Sequence, residues 1–536
     1  MTKKQISCLA VCLALCLVLT GCTGLNFSGY FQRLEDLLYG EPVSEFDLMT
    51  YTRPDMERFA QTMEQCCTQA SVETDLANMV QIIYDFYGVY DQFYTNFALA
   101  MIRYSQDQTD TYYQVEYQFC TEQSSQVDAG LDRFYRVLAG SVLREELESD
   151  AYFGADFFDR YEGESIYDDY FTTLLDQETK LENQYYDLMA QAGGDFGYTQ
   201  GFYDDYGREM AEIYVELIRV RQAQATYAGY DSYPEFAYEF YYLRDYSVEQ
   251  ATSYLADVRA ELVPLYRKIT QDMDVVLYWS TEQEVFDYVQ GMAQNMGSPI
   301  AEAFSYMSAM GLYDITSSVN KLDASFEIYI RGYHSPFVFV NPTGTEYDKL
   351  TFAHEFGHFC SDYVTMGSGA SVDVAEIFSQ SMEYLSLAYA DADPNLAKLK
   401  MVDSLCIFVE QAAYASFEQQ VYLLEGDALT VENVETLYLQ TCENYGLPGD
   451  FSYVLITHFF TEPLYVISYV VSNDAAMQIY QMEQESAGAG LDRLQTSLEI
   501  QQPYFLAFLQ AAGLESPFAA GRIQSVKETL QGVLWG

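Results

Sequence analysis

The chain has 536 residues, 49% of them hydrophobic and 20% charged, which suits a globular body of one large domain or two medium ones. Against 26 Lys+Arg stand 80 Asp+Glu, a formal net charge of −54. Such a surface repels nucleic acid and anionic lipid and argues against both as partners, while it could attract cationic peptides. The 50 tyrosines suggest an amphipathic interior and tyrosine-lined grooves without identifying a ligand.

Lys3 and Lys4 open the chain as a positive segment, and an apolar run follows from Ile6 to Leu19. A run of about 14 residues is short for a bilayer crossing, which takes about 20. Leu19-Thr20-Gly21-Cys22 resembles the lipobox of bacterial lipoproteins. The resemblance implies a signal peptide over 1–21, a lipid on the Cys22 thiol, and export to the outer face of a bacterial plasma membrane. Residues 22–45 mix Gly, Ser, Pro and acids and read as a tether. Six cysteines follow Cys22, too irregularly spaced for a disulfide framework, and Cys360 reads as a buried thiol.

From 46 to 235 apolar and aromatic residues recur at three- and four-residue spacing, as in 80–87 and 210–218, which predicts long helices. With 12 prolines in the whole chain, few breaks are expected. Helical spacing continues through Ser247–Met273, capped by Ser247 with Gln250, and Pro264 is expected to kink or divide it. The remaining region, 236–536, carries the chemistry.

Phe326–Ile330 and Phe337–Val340 are short, aromatic and β-branched, and predict two strands around the turn Gly332-Tyr333-His334-Ser335-Pro336. Such a strand offers an extended peptide a place to pair, making Gly332, Tyr333 and His334 candidate substrate-binding residues. Thr345 and Asp348 have the spacing of a capping box and predict the start of the next helix. That helix carries His354-Glu355-Phe356-Gly357-His358. Residues four apart share a helical face, so both imidazoles can point at one metal ion, with Glu355 beside them to take a proton from the attacking water. The chain contains four histidines in all, so the pair is not one coincidence among many.

A catalytic zinc commonly takes three protein ligands and keeps a position open. After the glycine-rich turn 367–370, a second helix begins near Ser371 and sets Asp373, Glu376, Gln380 and Glu383 on one face among apolar neighbours. Buried carboxylates are costly unless paired or metal-bound. Glu376 or Glu383 could be the third ligand, and spacing does not choose between them.

Residues 332–383 resemble the thimet-oligopeptidase and oligoendopeptidase F family of zinc peptidases, in particular its bacterial Pz-peptidase-like branch. The resemblance rests on Ser335–Asn341, Gly344-Thr345, His354–His358, Asp373–Ser379 and Met382-Glu383. It implies one Zn2+ per chain, held by His354, His358 and Glu376, with Glu383 and Asp373 behind the ligands. His458 through Tyr465, with Tyr469, resembles the C-terminal segment whose histidine and tyrosines stabilise the oxyanion. Tyr465 and Tyr469, four apart, would share a helical face. The segment Ala228–Asp245 and the stretch Ala512–Phe518 also resemble the family. Some branches have a further histidine where this chain has Ser361, and His334 matches no fixed family position. The implied fold is mainly α-helical and two-lobed around a deep substrate channel, with a small β element beside the metal helix.

The expected function is zinc-dependent endoproteolysis of short unfolded peptides at the membrane's outer face, with short peptides as partners and the membrane reached through the lipid anchor. Two alternatives stand beside it. One is a dipeptidyl- or carboxypeptidase of the related angiotensin-converting-enzyme type. The other is a lipoprotein that binds peptides without cutting them.

Overall fold

A computed structural model describes residues 45–149, 152–163, 165–192, 199–272, 276–367 and 369–535. The signal segment, Cys22 and the tether as far as residue 44 lie outside the described residues. The fold is mainly α-helical. Its first half is built from α1 (Met56–Ala70), α2 (Leu76–Gln106), α3 (Thr111–Ala139), α4 (Asp169–Ala192) and α5 (Arg208–Tyr227). Each of the first three starts at an aspartate, Asp55, Asp75 or Asp110, whose carboxylate accepts a backbone N–H of the first turn.

Next come α6 (Val248–Asp272), α7 (Glu282–Met296) and α8 (Ile300–Met310). At the start of α6, Ser247 Oγ accepts from the Gln250 amide at 3.1 Å while Gln250 Oε1 accepts from the Ser247 amide at 2.9 Å. Pro264 does not divide α6, which runs unbroken through it. The proline and Ala260, whose carbonyl it leaves without a helical partner, both face solvent, while Leu262, Val263, Leu265 and Tyr266 pack inward on either side. That carbonyl is open to solvent, which lowers the cost of the lost hydrogen bond, and burial of the flanks outweighs it.

A three-stranded sheet follows: β1 (Tyr313–Asp314), β2 (Ser325–Ile330) and β3 (Ser335–Val340), in the order β1-β3-β2. β2 and β3 are the two predicted strands and pair antiparallel, Phe326 opposite Phe339 and Ile330 opposite Ser335. β1 joins in parallel and is too short for any alternation to show in sequence. The β2–β3 turn ends at His334, whose backbone is left-handed at φ 46°.

The sheet packs on α9 (Asp348–Thr365), α9 packs along α10 (Val372–Tyr389), and α10 is covered on its other side by the later helix at Ile467–Glu485. The predicted capping box at the start of α9 does not form. The helix opens three residues after Thr345, and Asp348 instead gathers the amides of Thr343, Gly344 and Thr345 at 2.8–3.0 Å. A carboxylate at a helix start gains more from three backbone donors than a threonine hydroxyl gains from one. Then follow α11 (Pro394–Cys406), α12 (Ala412–Val421), α13 (Val431–Tyr445) and a helical turn at Thr457–Thr461. The chain ends in α14 (Ile467–Glu485), α15 (Ala489–Ser497), α16 (Phe505–Ala512) and α17 (Arg522–Trp535). Cys66, Cys67, Cys120, Cys360, Cys406 and Cys442 are all buried and unpaired.

Candidate metal centre

Two helices in close contact build the site. Gly357 lies between the two histidines of α9, and a Cβ there would sit 2.6 Å from Ser379 Cα and 2.7 Å from Phe378 O. Only glycine lets α9 come so near the backbone of α10. That approach carries Glu376 of α10 up to the face where His354 and His358 stand one helical turn apart.

Ligand atoms of His354, His358 and Glu376 all lie within 4.8 Å of one another, and all three residues are buried. His354 Nε2 stands 3.5 Å from Glu376 Oε2, and His358 Nε2 stands 3.8 Å from Glu376 Oε1. Both Nε2 atoms are buried and make no hydrogen bond. Two orphaned imidazole nitrogens turned toward one carboxylate fit a zinc ion, whose preferred donors they are. Burial opposes a charge on His354, yet Glu383, Glu376 and Glu355 outweigh burial and raise its pKa to about 9. Burial, and the neighbouring His354, hold His358 neutral far below the ordinary histidine range. The surroundings favour one cation at this point.

Glu355 is fully buried in α9, and its charge is among those felt at His354. Behind the ligands, Glu383 Oε1 accepts from His354 Nδ1 at 2.7 Å, which leaves Nε2 turned to the metal position. Burial works against the Glu383 charge, but Lys400 and His354 overcome it and keep the group ionised. Asp373 has other company. It takes hydrogen bonds from Arg244, Tyr246 and Ser468 and supports the base of α10 instead of a histidine. Glu376 is itself held from both sides, by Tyr465 OH on Oε1 at 2.8 Å and Ser379 Oγ on Oε2 at 2.9 Å.

His458, Tyr465 and Tyr469 form a second cluster against the first. Their ring centroids lie 5.2–5.9 Å apart, and Tyr469 OH is 3.3 Å from His458 Nε2. The two tyrosines do not share a helical face. Tyr469 is in α14, whereas Tyr465 precedes it in a turn that Leu464 bends at φ 67°. A left-handed leucine is not readable from spacing. Burial lowers the His458 pKa to about 3, so the ring is neutral.

The turn is held by its backbone. Arg221 of α5 donates to Phe459 O at 2.8 Å and to Phe460 O. Tyr242 OH donates to Pro463 O at 2.7 Å, Arg244 to Leu464 O at 3.0 Å, and Glu418 of α12 accepts from the Leu464 amide at 2.7 Å. Gly332, Tyr333 and His334 lie in the β2–β3 turn. That turn is fastened to α2 by the Gly332 amide on Thr95 Oγ1 at 2.7 Å, and Tyr333 OH accepts from the Thr50 amide at 3.4 Å.

Sequence reasoning passed over Lys400, Asp403 and Glu418, and assigned no role to Arg244. Lys400 left a trace, being a lysine set between Leu399 and Met401, two residues after Lys398, in an acid-rich chain. The others announce themselves only in three dimensions.

Residues 46–165 match the family described as the Peptidase M3 N-terminal domain. No curated protein matches the chain by sequence. In three dimensions the chain is similar to a structure assigned as an oligoendopeptidase F, with a TM-score of 0.82 and 22% identity over 92% of this chain and 99% of that one. A structure of PZ peptidase A with an inhibitor is similar at a TM-score of 0.82 and 21% identity, over 91% and 99%. One from Bacillus anthracis strain Ames, also assigned as an oligoendopeptidase F, gives 0.79 and 22%, over 92% and 98%. The fold is that of these proteins.

Proposed function

We propose that this chain is a zinc peptidase of the oligoendopeptidase F type that cuts internal bonds of short, unfolded peptides. The observation that carries the reading is the buried convergence of His354, His358 and Glu376 with Glu355 alongside, on a fold shared with oligoendopeptidases. His354 Nε2, His358 Nε2 and a Glu376 oxygen would hold the ion. Bound Zn2+ supplies Lewis acidity, making water a nucleophile at neutral pH and polarising the scissile carbonyl. Glu355 takes the proton of the attacking water and delivers it to the leaving amine. The Tyr465 hydroxyl orients Glu376, and the paired His458 and Tyr469 beside it are the groups we assign as donors to the developing oxyanion. Burial of the site excludes a folded protein, so the substrates we assign to it are short, extended peptides.

The direct test is mass spectrometry of mixed short peptides incubated with soluble protein from residue 23 onward. Internal cuts are expected, abolished by a zinc chelator and restored by Zn2+. Products released two residues at a time from one end would favour the dipeptidase reading. No cleavage by zinc-loaded protein would favour peptide binding without catalysis.

We further place the enzyme at the outer face of a bacterial membrane, tethered through Cys22, on the evidence of the lipobox-like Leu19–Cys22. The expected result is a diacylglycerol-modified Cys22 as the first residue of protein recovered from its native membrane. An unmodified or uncleaved N-terminus would refute the anchor.

A further inference from the structure

Lys400 has no surface exposure, and its ammonium meets two carboxylates: Glu383 Oε2 at 2.7 Å and Asp403 Oδ2 at 3.1 Å. The other oxygen of Glu383 accepts from His354 Nδ1 at 2.7 Å, and the other oxygen of Asp403 accepts from Tyr347 OH at 2.8 Å. Tyr347 is the residue before α9, and His354 is in it. The contacts thus run in a closed circuit from α9 through Glu383 of α10 to Lys400 and Asp403 of α11, and back to the start of α9. The ammonium also lies over the Tyr384 ring, 4.7 Å from its centre, and is attracted by the ring face.

Such a circuit has a use at a metal site. A carboxylate aimed at a histidine ring fixes that ring only if the carboxylate cannot itself rotate. Glu383 has two oxygens and one histidine, and Lys400 occupies the second oxygen. The buried charges on Lys400, Glu383 and Asp403 leave one net negative behind a histidine whose free nitrogen faces the metal position. Neither Lys400 nor Asp403 touches that position.

We propose that Lys400 is a positioning residue of the metal centre: it locks the Glu383 carboxylate so that His354 presents Nε2 to the ion. The proposal rests on the zinc reading above, and its effect is on metal affinity first and on turnover through it. Removal of an outer hydrogen-bonding partner of this kind lowers metal affinity by about 10- to 100-fold.

The experiment is a zinc titration against a competing chelator on four soluble proteins spanning residues 23–536, with circular dichroism to report folding. They are the wild type, Lys400→Met, Asp403→Asn and the double variant Lys400→Met/Asp403→Asn. The double variant keeps the net buried charge of the wild type, so it remains informative if Lys400→Met fails to fold. Lys400→Met and the double variant are each expected to bind zinc about 10- to 100-fold more weakly. Asp403→Asn, in which Lys400 still holds Glu383, is expected to bind near the wild-type level. The visible spectrum of Co2+-loaded protein should change for the double variant and not for Asp403→Asn. Wild-type affinity in the double variant would overturn the proposal, because Lys400 would then merely balance charge. Absence of zinc binding by the wild type would instead overturn the metal reading, and the proposal with it.

Discussion

Glu355→Gln is expected to lower kcat/KM for peptide hydrolysis by about 100- to 10,000-fold, the range that one positioned acid–base group supplies. The amide has the shape of the carboxylate and fits the same buried place in α9, but it cannot accept the proton of the attacking water. The orphaned Nε2 atoms of His354 and His358 and the Glu376 carboxylate are untouched by the change. Zinc content near one per chain and an unchanged unfolding midpoint should therefore accompany the loss. Steady-state kinetics beside metal analysis check this. Retained activity would remove Glu355 from the proposed chemistry, and joint loss of zinc would show that the residue serves the ion instead.

Arg244→Met is expected to cost about 3–5 kcal/mol of stability, the usual result of stripping one partner from a buried ion pair. The Arg244 and Asp373 side chains have no exposed surface. The guanidinium donates to both oxygens of Asp373, to Leu464 O and to Ser468 Oγ, between the rings of Tyr238 and Tyr242 at 4.4 and 4.3 Å. Methionine fills the volume and leaves the Asp373 charge in a dry interior with two hydroxyl donors, Tyr246 and Ser468. The variant Arg244→Met/Asp373→Leu removes both charges and should recover much of the loss. Chemical denaturation of the set measures it. A cost below about 1 kcal/mol for Arg244→Met would mean the pair is solvated in a way its burial does not suggest.

What could be read from sequence follows the reach of each signal. Helical geometry is rigid over a few turns, so His354 to His358 and Asp373 to Glu383 could be placed on faces of their helices without any structure. The two strands around residues 332–336 were legible because short aromatic and β-branched runs and turn residues are local signals. Spacing alone left the third ligand open and the family resemblance chose Glu376, because Glu376 and Glu383 differ in how α10 lies against α9, an approach that the missing side chain of Gly357 permits. Arg244 meets Asp373 across 129 residues of sequence, and Arg221 meets Phe459 across 238, distances over which no periodicity carries. The errors have the same origin. Thr345 and Asp348 show the spacing of a box, but the preceding Asn341–Gly344 turn presents more amides than the threonine can use. Pro264 signals a break, yet whether it breaks depends on which side of α6 faces water.

The turn from Phe459 to Leu464 has a kinetic consequence. Its carbonyls and one amide are tied to Arg221, Tyr242 and Arg244, more than 200 residues earlier, and to Glu418 of α12. To shift this turn alone, several buried hydrogen bonds must break together, each costing about 1–3 kcal/mol once its partner is left dry. The segment therefore cannot serve as its own door, and its motions are as slow as those of the body around it. His458 and Tyr465 stand ready before a peptide arrives. On the proposed function, substrate binding energy then need not be spent on assembling these groups.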